Sequence, residues 1–283
     1  MKIEKVFVIG AGTMGAGVAQ VFAQSDFDVT LVDTGDEIVR RALGMIEGSL
    51  TRAVQKGKID NSRKEEIIKR IRGETDLGKA KEADFVVEAV FESLALKKEI
   101  FKQLDEECPP EVILCTNTSS LPITPIAAAT KRPQKVIGMH FFNPAPVMKL
   151  VEIIRALTTD DETYKIVWDI SLQLGKEPVG VNDSPGFASS RILMVMINEA
   201  VFALWEGVGD AKAIDDVMKL GMNHPMGPLE LADLIGLDIC LNVMNVMYEG
   251  FQDTKYRPCV LLKKMVAAGY LGRKTKKGFY EYK

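Results

Sequence analysis

Up to residue 184, short uninterrupted apolar runs alternate with segments of helical spacing, and this alternation predicts the first part of the fold. Residues 5–9 (Lys-Val-Phe-Val-Ile) read as a buried strand, 14–24 as a helix and 28–32 as a second strand. A long helix starts near Asp36, which is placed to cap it, and a charged helix covers 62–71. Residues 84–90 and 112–115 are further runs of strand length, separated by the helical pattern of 94–104. The runs 136–139 and 147–154 follow. Strands alternating with helices argue for βαβ units and a doubly wound, mostly parallel α/β sheet with helices on both faces.

At Ser184-Pro185-Gly186 the pattern changes. Apolar residues then recur at helical spacing over 187–205, 213–220, 229–248 (interrupted at Gly236) and 261–268, and a strand pattern returns only in the tail 278–282. The expected division is therefore an α/β domain over 1–184 followed by an all-α domain over 185–283. A chain of 283 residues is long enough for two such domains and buries a core without disulfide or metal staples.

Composition narrows the function. Hydrophobic residues at 47% and charged residues at 27% exclude disorder. A net charge of −3, from 36 basic and 39 acidic residues, lacks the electrostatic footprint of a nucleic-acid binder. Cys108, Cys115, Cys240 and Cys259 show no Cys-x-x-Cys spacing, and with only two histidines neither a disulfide framework nor a metal site is expected. No uncharged apolar stretch approaches the roughly 18 residues that span a bilayer. The start, Met1-Lys2-Ile3-Glu4-Lys5, has no secretory character, so a cytoplasmic location is expected.

The first chemical signal is Gly10-Ala11-Gly12-Thr13-Met14-Gly15. Its G-x-G-x-x-G spacing follows an apolar strand and opens a helix, the setting in which it binds a dinucleotide in a Rossmann-type fold. Gly10 makes a tight turn, Gly12 admits the pyrophosphate, Gly15 lets helix and strand approach, and the helix N-terminus supplies N–H donors and a positive dipole. Asp33, just after the second strand, is placed to accept from the adenosine ribose hydroxyls and to repel a 2′-phosphate, which favours NAD over NADP.

A dinucleotide enzyme also needs a proton carrier, and histidine suits neutral pH. His140 follows the run 136–139 at the carboxyl edge of the expected sheet, whereas His224 lies in a Pro- and Gly-rich turn between helices. Glu152 interrupts the apolar run Leu150-Val151-Glu152-Ile153-Ile154, where an unpaired carboxylate is costly, so it should have a partner. An imidazole at the end of the neighbouring strand fits that role, in the manner of a triad, although spacing alone leaves the pairing open.

Longer motifs resemble the 3-hydroxyacyl-CoA dehydrogenase family: Asn117-Thr118-Ser119-Ser120, Gly138-Met139-His140-Phe141-Phe142-Asn143-Pro144, His224-Pro225-Met226-Gly227-Pro228, and Gly272-Arg273-Lys274 with Gly278-Phe279-Tyr280. The resemblance covers essentially the whole chain and is nearest to bacterial 3-hydroxybutyryl-CoA dehydrogenases. It implies that His140 takes the proton of the 3-hydroxyl as hydride leaves C3, and that Glu152 holds the imidazole and stabilises its charged form. It also implies that Ser119 hydrogen-bonds the reacting oxygen and that Asn143 lies beside the nicotinamide. Glu92, Lys97 and Lys274 match cofactor-contacting positions, together with Gly10, Gly12, Thr13, Met14, Gly15 and Asp33. Ser49 and Lys56, on one face of the long helix, match positions that contact coenzyme A. The resemblance further implies a homodimer acting on 3-hydroxyacyl-CoA and 3-oxoacyl-CoA substrates. One departure stands out: Ser190 occupies the place of the family's substrate-side asparagine in Pro185-Gly186-Phe187-Ala188-Ser189-Ser190-Arg191. Two rival readings remain, a dehydrogenase of a free hydroxy acid and a non-catalytic NAD-binding protein.

Overall fold

The structure, a computed structural model, describes residues 2–283. A first compact unit ends at Asp183 and a second begins at Ser184.

The first unit runs β1 (Lys5–Ile9), α1 (Thr13–Gln24), β2 (Asp28–Val32), α2 (Asp36–Gln55), α3 (Asn61–Lys69) and β3 (Ile71–Glu74). It continues through β4 (Phe85–Glu88), α4 (Leu94–Glu107), β5 (Ile113–Thr116), the single turn α5 (Thr124–Ala127), β6 (Val136–Phe141), β7 (Leu150–Arg155), α6 (Asp161–Gln173) and β8 (Glu177–Asn182). The strands form one eight-stranded sheet in the order β3-β2-β1-β4-β5-β6-β7-β8. Every neighbouring pair is parallel except β6 and β7. The strand order reverses direction between β1 and β4, and the crevice beyond the carboxyl ends of strands at such a switch point is where open α/β sheets bind ligands.

Burial follows the sequence pattern. In β1 all residues after Lys5 are buried, and β4 and β5 are buried throughout, as expected of strands covered on both faces. Helix α2 turns Val39, Ala42, Ile46 and Leu50 inward, a stripe of about one residue per turn, and leaves the rest of its length to solvent or partial cover.

Several expectations change. Asp36 is the first helical residue of α2, not its cap; Gly35 holds the cap position and no side chain caps it. Strand β6 extends to Phe141, so His140 sits inside the strand instead of beyond its end. The charged helix stops at Lys69, because β3 takes over at Ile71. The elements β3, α5, α6 and β8 are additions to the expected set.

The second unit consists of α7 (Ser189–Trp205), α8 (Ala211–Gly221), α9 (Pro228–Ile235), α10 (Leu237–Phe251) and α11 (Val260–Ala267), with short 3-10 turns. Its core gathers Met194, Ile197, Val201, Leu229, Leu237, Met244, Met247 and Leu262. No single helix among the described residues is long and apolar enough to cross a membrane. The buried Asp215 carboxylate receives the backbone N–H groups of Leu229 (2.8 Å) and Glu230 (2.9 Å), opposite the positive N-terminus of α9. The tail 278–282 is not a strand. It makes an isolated bridge between Lys277 and Glu281, and Asp233 accepts from the N–H groups of Phe279 and Tyr280 and from the Tyr282 hydroxyl, each at 2.9 Å. Burial and its bond to Asp233 push the Tyr282 phenol up to about 12, so it stays protonated and donating.

All four cysteines are free and buried. Burial pushes the Cys108 thiol up to about 11 and that of Cys240 to about 12, which keeps them protonated and unreactive at neutral pH.

Candidate active site

The glycine turn sits directly after β1. Gly10 has φ of +96°, and a Cβ there would stand 2.6 Å from the Ala89 carbonyl oxygen, so both conformation and space require glycine. A Cβ on Gly15 would lie 1.7 Å from the Gly10 carbonyl oxygen, which shows how closely α1 packs against the turn that opens it. On Gly12 the same atom meets nothing within 4 Å. The space over the first turn of α1 is thus open, and the helix dipole and first-turn N–H groups there suit a pyrophosphate. Asp33 closes the turn from the side: its Oδ2 accepts the Ala11 N–H at 2.7 Å and its Oδ1 the Thr34 N–H at 2.7 Å. Oδ2 carries one donor and keeps a lone pair for a ribose hydroxyl. The residues present therefore fit a dinucleotide.

A second group lies at the carboxyl ends of β4 and β5 and in the antiparallel pair β6–β7. Their register places His140 directly opposite Glu152, with both side chains buried. Residues opposite each other on one face are close enough for their side chains to meet. The His140 Nδ1 lies 3.0 Å from Glu152 Oε2, and its Nε2 lies 3.1 Å from the Ser119 hydroxyl. An ionised carboxylate only accepts, so Nδ1 carries the hydrogen and the neutral ring presents its Nε2 lone pair to the serine side. The Phe142 ring packs 4.5 Å from the imidazole, centroid to centroid.

Ser119 is held by its surroundings. The Glu92 carboxylate, through Oε1, accepts the N–H groups of Ser119 (3.0 Å) and Ser120 (3.1 Å) and the hydroxyls of Thr118 (2.5 Å) and Ser120 (3.1 Å). Asn117 accepts the Phe141 N–H at 2.8 Å, tying the turn to β6 beside His140. Beneath the turn, Glu88 is wholly buried and binds the Lys97 ammonium (2.6 Å), the Val90 N–H (2.7 Å) and the Thr116 hydroxyl (2.7 Å). Removing one member of such a buried pair costs about 3–5 kcal/mol.

The structure thus brings together His140, Glu152, Ser119, Glu92 and Lys97 around the ends of β4 to β7. Asn143 lies on the exposed loop after β6. Lys97 is 1% exposed, its ammonium bound to Glu88. Ser49 lies in α2, and Lys56 follows the end of that helix, exposed. Lys274 and Ser190 belong to the second unit, where Lys274 pairs with Asp238 at 2.6 Å and Ser190 is buried in the first turn of α7. His224 is half-buried between α8 and α9. Sequence reading missed Glu88, Thr116, Thr118 and Ser120 as parts of the site. The signal for Glu88 was present: like Glu152, it is a lone carboxylate interrupting an apolar run, here Phe85-Val86-Val87-Glu88-Ala89-Val90-Phe91.

Comparison with known proteins is consistent along the whole chain. Residues 5–184 match the family described as 3-hydroxyacyl-CoA dehydrogenase, NAD binding domain, and residues 186–282 match 3-hydroxyacyl-CoA dehydrogenase, C-terminal domain. A Bacillus subtilis (strain 168) protein described as a "probable 3-hydroxybutyryl-CoA dehydrogenase" is 53% identical over 282 residues, covering 100% of this chain and 98% of that protein. The 3-hydroxybutyryl-CoA dehydrogenase of Clostridioides difficile is 51% identical over 278 residues, covering 98% of this chain and 99% of the relative. The crystal structure of the (S)-3-hydroxybutyryl-CoA dehydrogenase of Ralstonia eutropha superposes with a TM-score of 0.95 at 49% identity, covering both chains completely. With both domain signatures in order and identities near half over full length, the chain belongs to the 3-hydroxyacyl-CoA dehydrogenase family and is an NAD-dependent oxidoreductase of that type.

Proposed function

We propose that this protein interconverts (S)-3-hydroxybutyryl-CoA and acetoacetyl-CoA with NAD, using His140 and Glu152 as its acid–base pair. The observation that carries the reading is the hydrogen-bonded line from Glu152 through His140 to Ser119. NAD supplies the hydride acceptor in oxidation and, when reduced, the donor in the reverse direction. His140 Nε2 takes the proton of the 3-hydroxyl during oxidation and returns it during reduction. Glu152 accepts the Nδ1 hydrogen throughout, which fixes the tautomer and offsets the charge on the ring when it is protonated. When substrate takes the place at His140 Nε2, Ser119 turns its single hydroxyl hydrogen from that nitrogen to the reacting oxygen. The glycine turn and Asp33 hold the cofactor, with Glu92, Lys97, Asn143 and Lys274 as further contacts, and Ser49, Lys56 and Ser190 serve the substrate side.

On this reading residues 1–184 bind the dinucleotide, and 185–283 serve the substrate and a homodimer in the cytoplasm. Support for the homodimer comes from apolar side chains that the second unit leaves in solvent, among them Ile192 (72% exposed) and Leu220 (86%). A monodisperse monomer in light scattering at micromolar concentration would refute it.

The deciding experiment is NADH oxidation with acetoacetyl-CoA, repeated with acetoacetate and with NADPH, followed by chiral analysis of the product. Turnover of acetoacetate without acetoacetyl-CoA would identify a free hydroxy acid dehydrogenase. NADH binding without turnover of either would leave a non-catalytic relative.

Asp33→Ala is expected to narrow the preference for NADH over NADPH by at least about tenfold in kcat/KM, since it removes a like charge from the 2′-phosphate. Because Asp33 also holds the Ala11 N–H, KM for NADH should rise in the same variant. Steady-state kinetics with both cofactors checks both effects, and an unaltered protein that already prefers NADPH would refute the role of Asp33.

A further inference from the structure

We infer that Glu88 is a positioning residue for this reaction: it holds the Lys97 ammonium away from Glu92, so that the Glu92 carboxylate stays on the Ser119 turn and Ser119 stays on His140. The inference rests on the acid–base reading above.

The geometry separates two carboxylates that compete for one cation. Lys97 Nζ lies 2.6 Å from Glu88 Oε1 but 3.6 Å from Glu92 Oε2. Glu88 is fixed in that role from other sides as well: the Thr116 hydroxyl donates to its Oε2, and the Val90 N–H to its Oε1, both at 2.7 Å. The register of β4 and β5 sets Glu88 opposite Thr116, and the Glu88 carbonyl oxygen accepts the Asn117 N–H at 2.7 Å, where the 117–120 turn begins. Glu92 spans the two sides: its Oε2 is the oxygen at 3.6 Å from Lys97, while its Oε1 accepts from the Ser119 and Ser120 amides and from two hydroxyls.

Hydrogen bonds to an ionised donor are roughly twice as strong as those between neutral groups. Lys97 is buried at 1% exposure, so if Glu88 were neutral, Glu92 would be the remaining carboxylate in its reach. Closing the 3.6 Å gap would draw Glu92 toward Lys97 and off the neutral amides of the turn. Ser119 would lose the acceptor that fixes its backbone, and a misplacement of about 1 Å at a reacting group costs on the order of 100-fold. The effect should fall on kcat, because the turn that moves carries the hydroxyl facing His140.

The test separates charge from shape in the full-length protein. Glu88→Gln keeps the size of the side chain and removes its charge; Glu88→Asp keeps the charge and is shorter by one methylene. With acetoacetyl-CoA and NADH, Glu88→Gln is expected to lower kcat at least about tenfold. The NADH Kd, read by fluorescence titration, should change by less than kcat does, because the glycine turn and Asp33 stay in place while only Glu92 and Lys97 shift. Glu88→Asp is expected to keep kcat within about threefold of the unaltered enzyme, because the flexible lysine follows the carboxylate. A packing role alone would order the two variants the other way, since the shorter side chain leaves a cavity. The inference is overturned if Glu88→Gln folds and retains kcat, or if Glu88→Asp loses more kcat than Glu88→Gln. Should Glu88→Gln fail to fold, the aspartate variant decides alone: kcat within threefold supports the inference, and a larger loss overturns it. An unaltered enzyme without turnover would instead show that the acid–base reading itself has failed, taking this inference with it.

Discussion

Replacing His140 with alanine is expected to lower kcat by about 100- to 10,000-fold, the range over which a positioned general acid–base acts. NADH affinity should stay within about threefold, because the glycine turn and Asp33 remain in place. The variant leaves the buried Glu152 carboxylate without its imidazole, so some loss of thermal stability should accompany the loss of rate. His140→Gln, which keeps a polar group near Glu152 and Ser119, should recover part of the stability and little of the rate. His224→Ala is the matched control. That residue is half-buried in the turn between α8 and α9, and its loss should mainly affect stability. Steady-state kinetics on folded proteins, confirmed by circular dichroism, reads the difference. Equal loss of turnover from both histidines would mean that the acid–base role is shared or wrongly assigned.

The second large effect comes from the glycine turn, where two glycines of one motif should fail differently. Gly15→Ala forces a Cβ to within 1.7 Å of the Gly10 carbonyl oxygen, backbone against backbone, with no flexible side chain to yield. Helix α1 must move off the turn. NADH affinity is expected to fall at least about 100-fold and the melting temperature to drop, since overpacking costs about 1–3 kcal/mol and occasionally more. Gly12→Ala puts its Cβ into open space at φ of −74°, which any residue adopts, so the fold should tolerate it with its melting temperature unchanged. Its NADH affinity should still fall, because the methyl group occupies the space read here as the pyrophosphate's. Thermal unfolding paired with NADH titration checks both variants. Unchanged affinity in Gly12→Ala would show that the pyrophosphate lies elsewhere.

The central strands were legible because burial on both faces makes them nearly continuous apolar runs; β1 and β2 have the bounds that their sequence suggests. The sheet edges were not. Strand β3 (Ile-Arg-Gly-Glu) has one large apolar residue, and β8 carries Pro178 and Gly180 with five of its six residues partly or fully exposed, so neither resembles a core strand. Helix α6 does carry an inward stripe, with Thr163, Val167, Ile170 and Ser171 buried, but half of that stripe is polar and it is easily passed over. The aromatic tail misled for another reason: Phe279, Tyr280 and Tyr282 alternate like a strand, yet their backbone and hydroxyl groups are spent on Asp233. In the candidate site, Glu152 could be singled out because a carboxylate in an apolar strand needs a partner. The network under Ser119 could not be assembled in advance, since Glu88 finds Lys97 nine positions on and Thr116 twenty-eight positions on, across different elements.

The one antiparallel step in the sheet also bears on how this protein could be diversified. Strands β6 and β7 are both interior, hydrogen-bonded to β5 and β8 on their outer sides, so the alignment of His140 with Glu152 is locked from two directions and does not rely on the connection between them. Insertions at the tip of that connection, where Val147 is 67% exposed, should therefore leave the alignment untouched. Such tolerance is bounded on both sides, because the carbonyl oxygens of Ala145 and Met148 both receive the Lys176 ammonium, and Ala145 is also buried against Gly17. A combinatorial library confined to residues 147–149 would vary the rim of the sheet without disturbing its chemistry, whereas one reaching back to Ala145 would unseat helix α1.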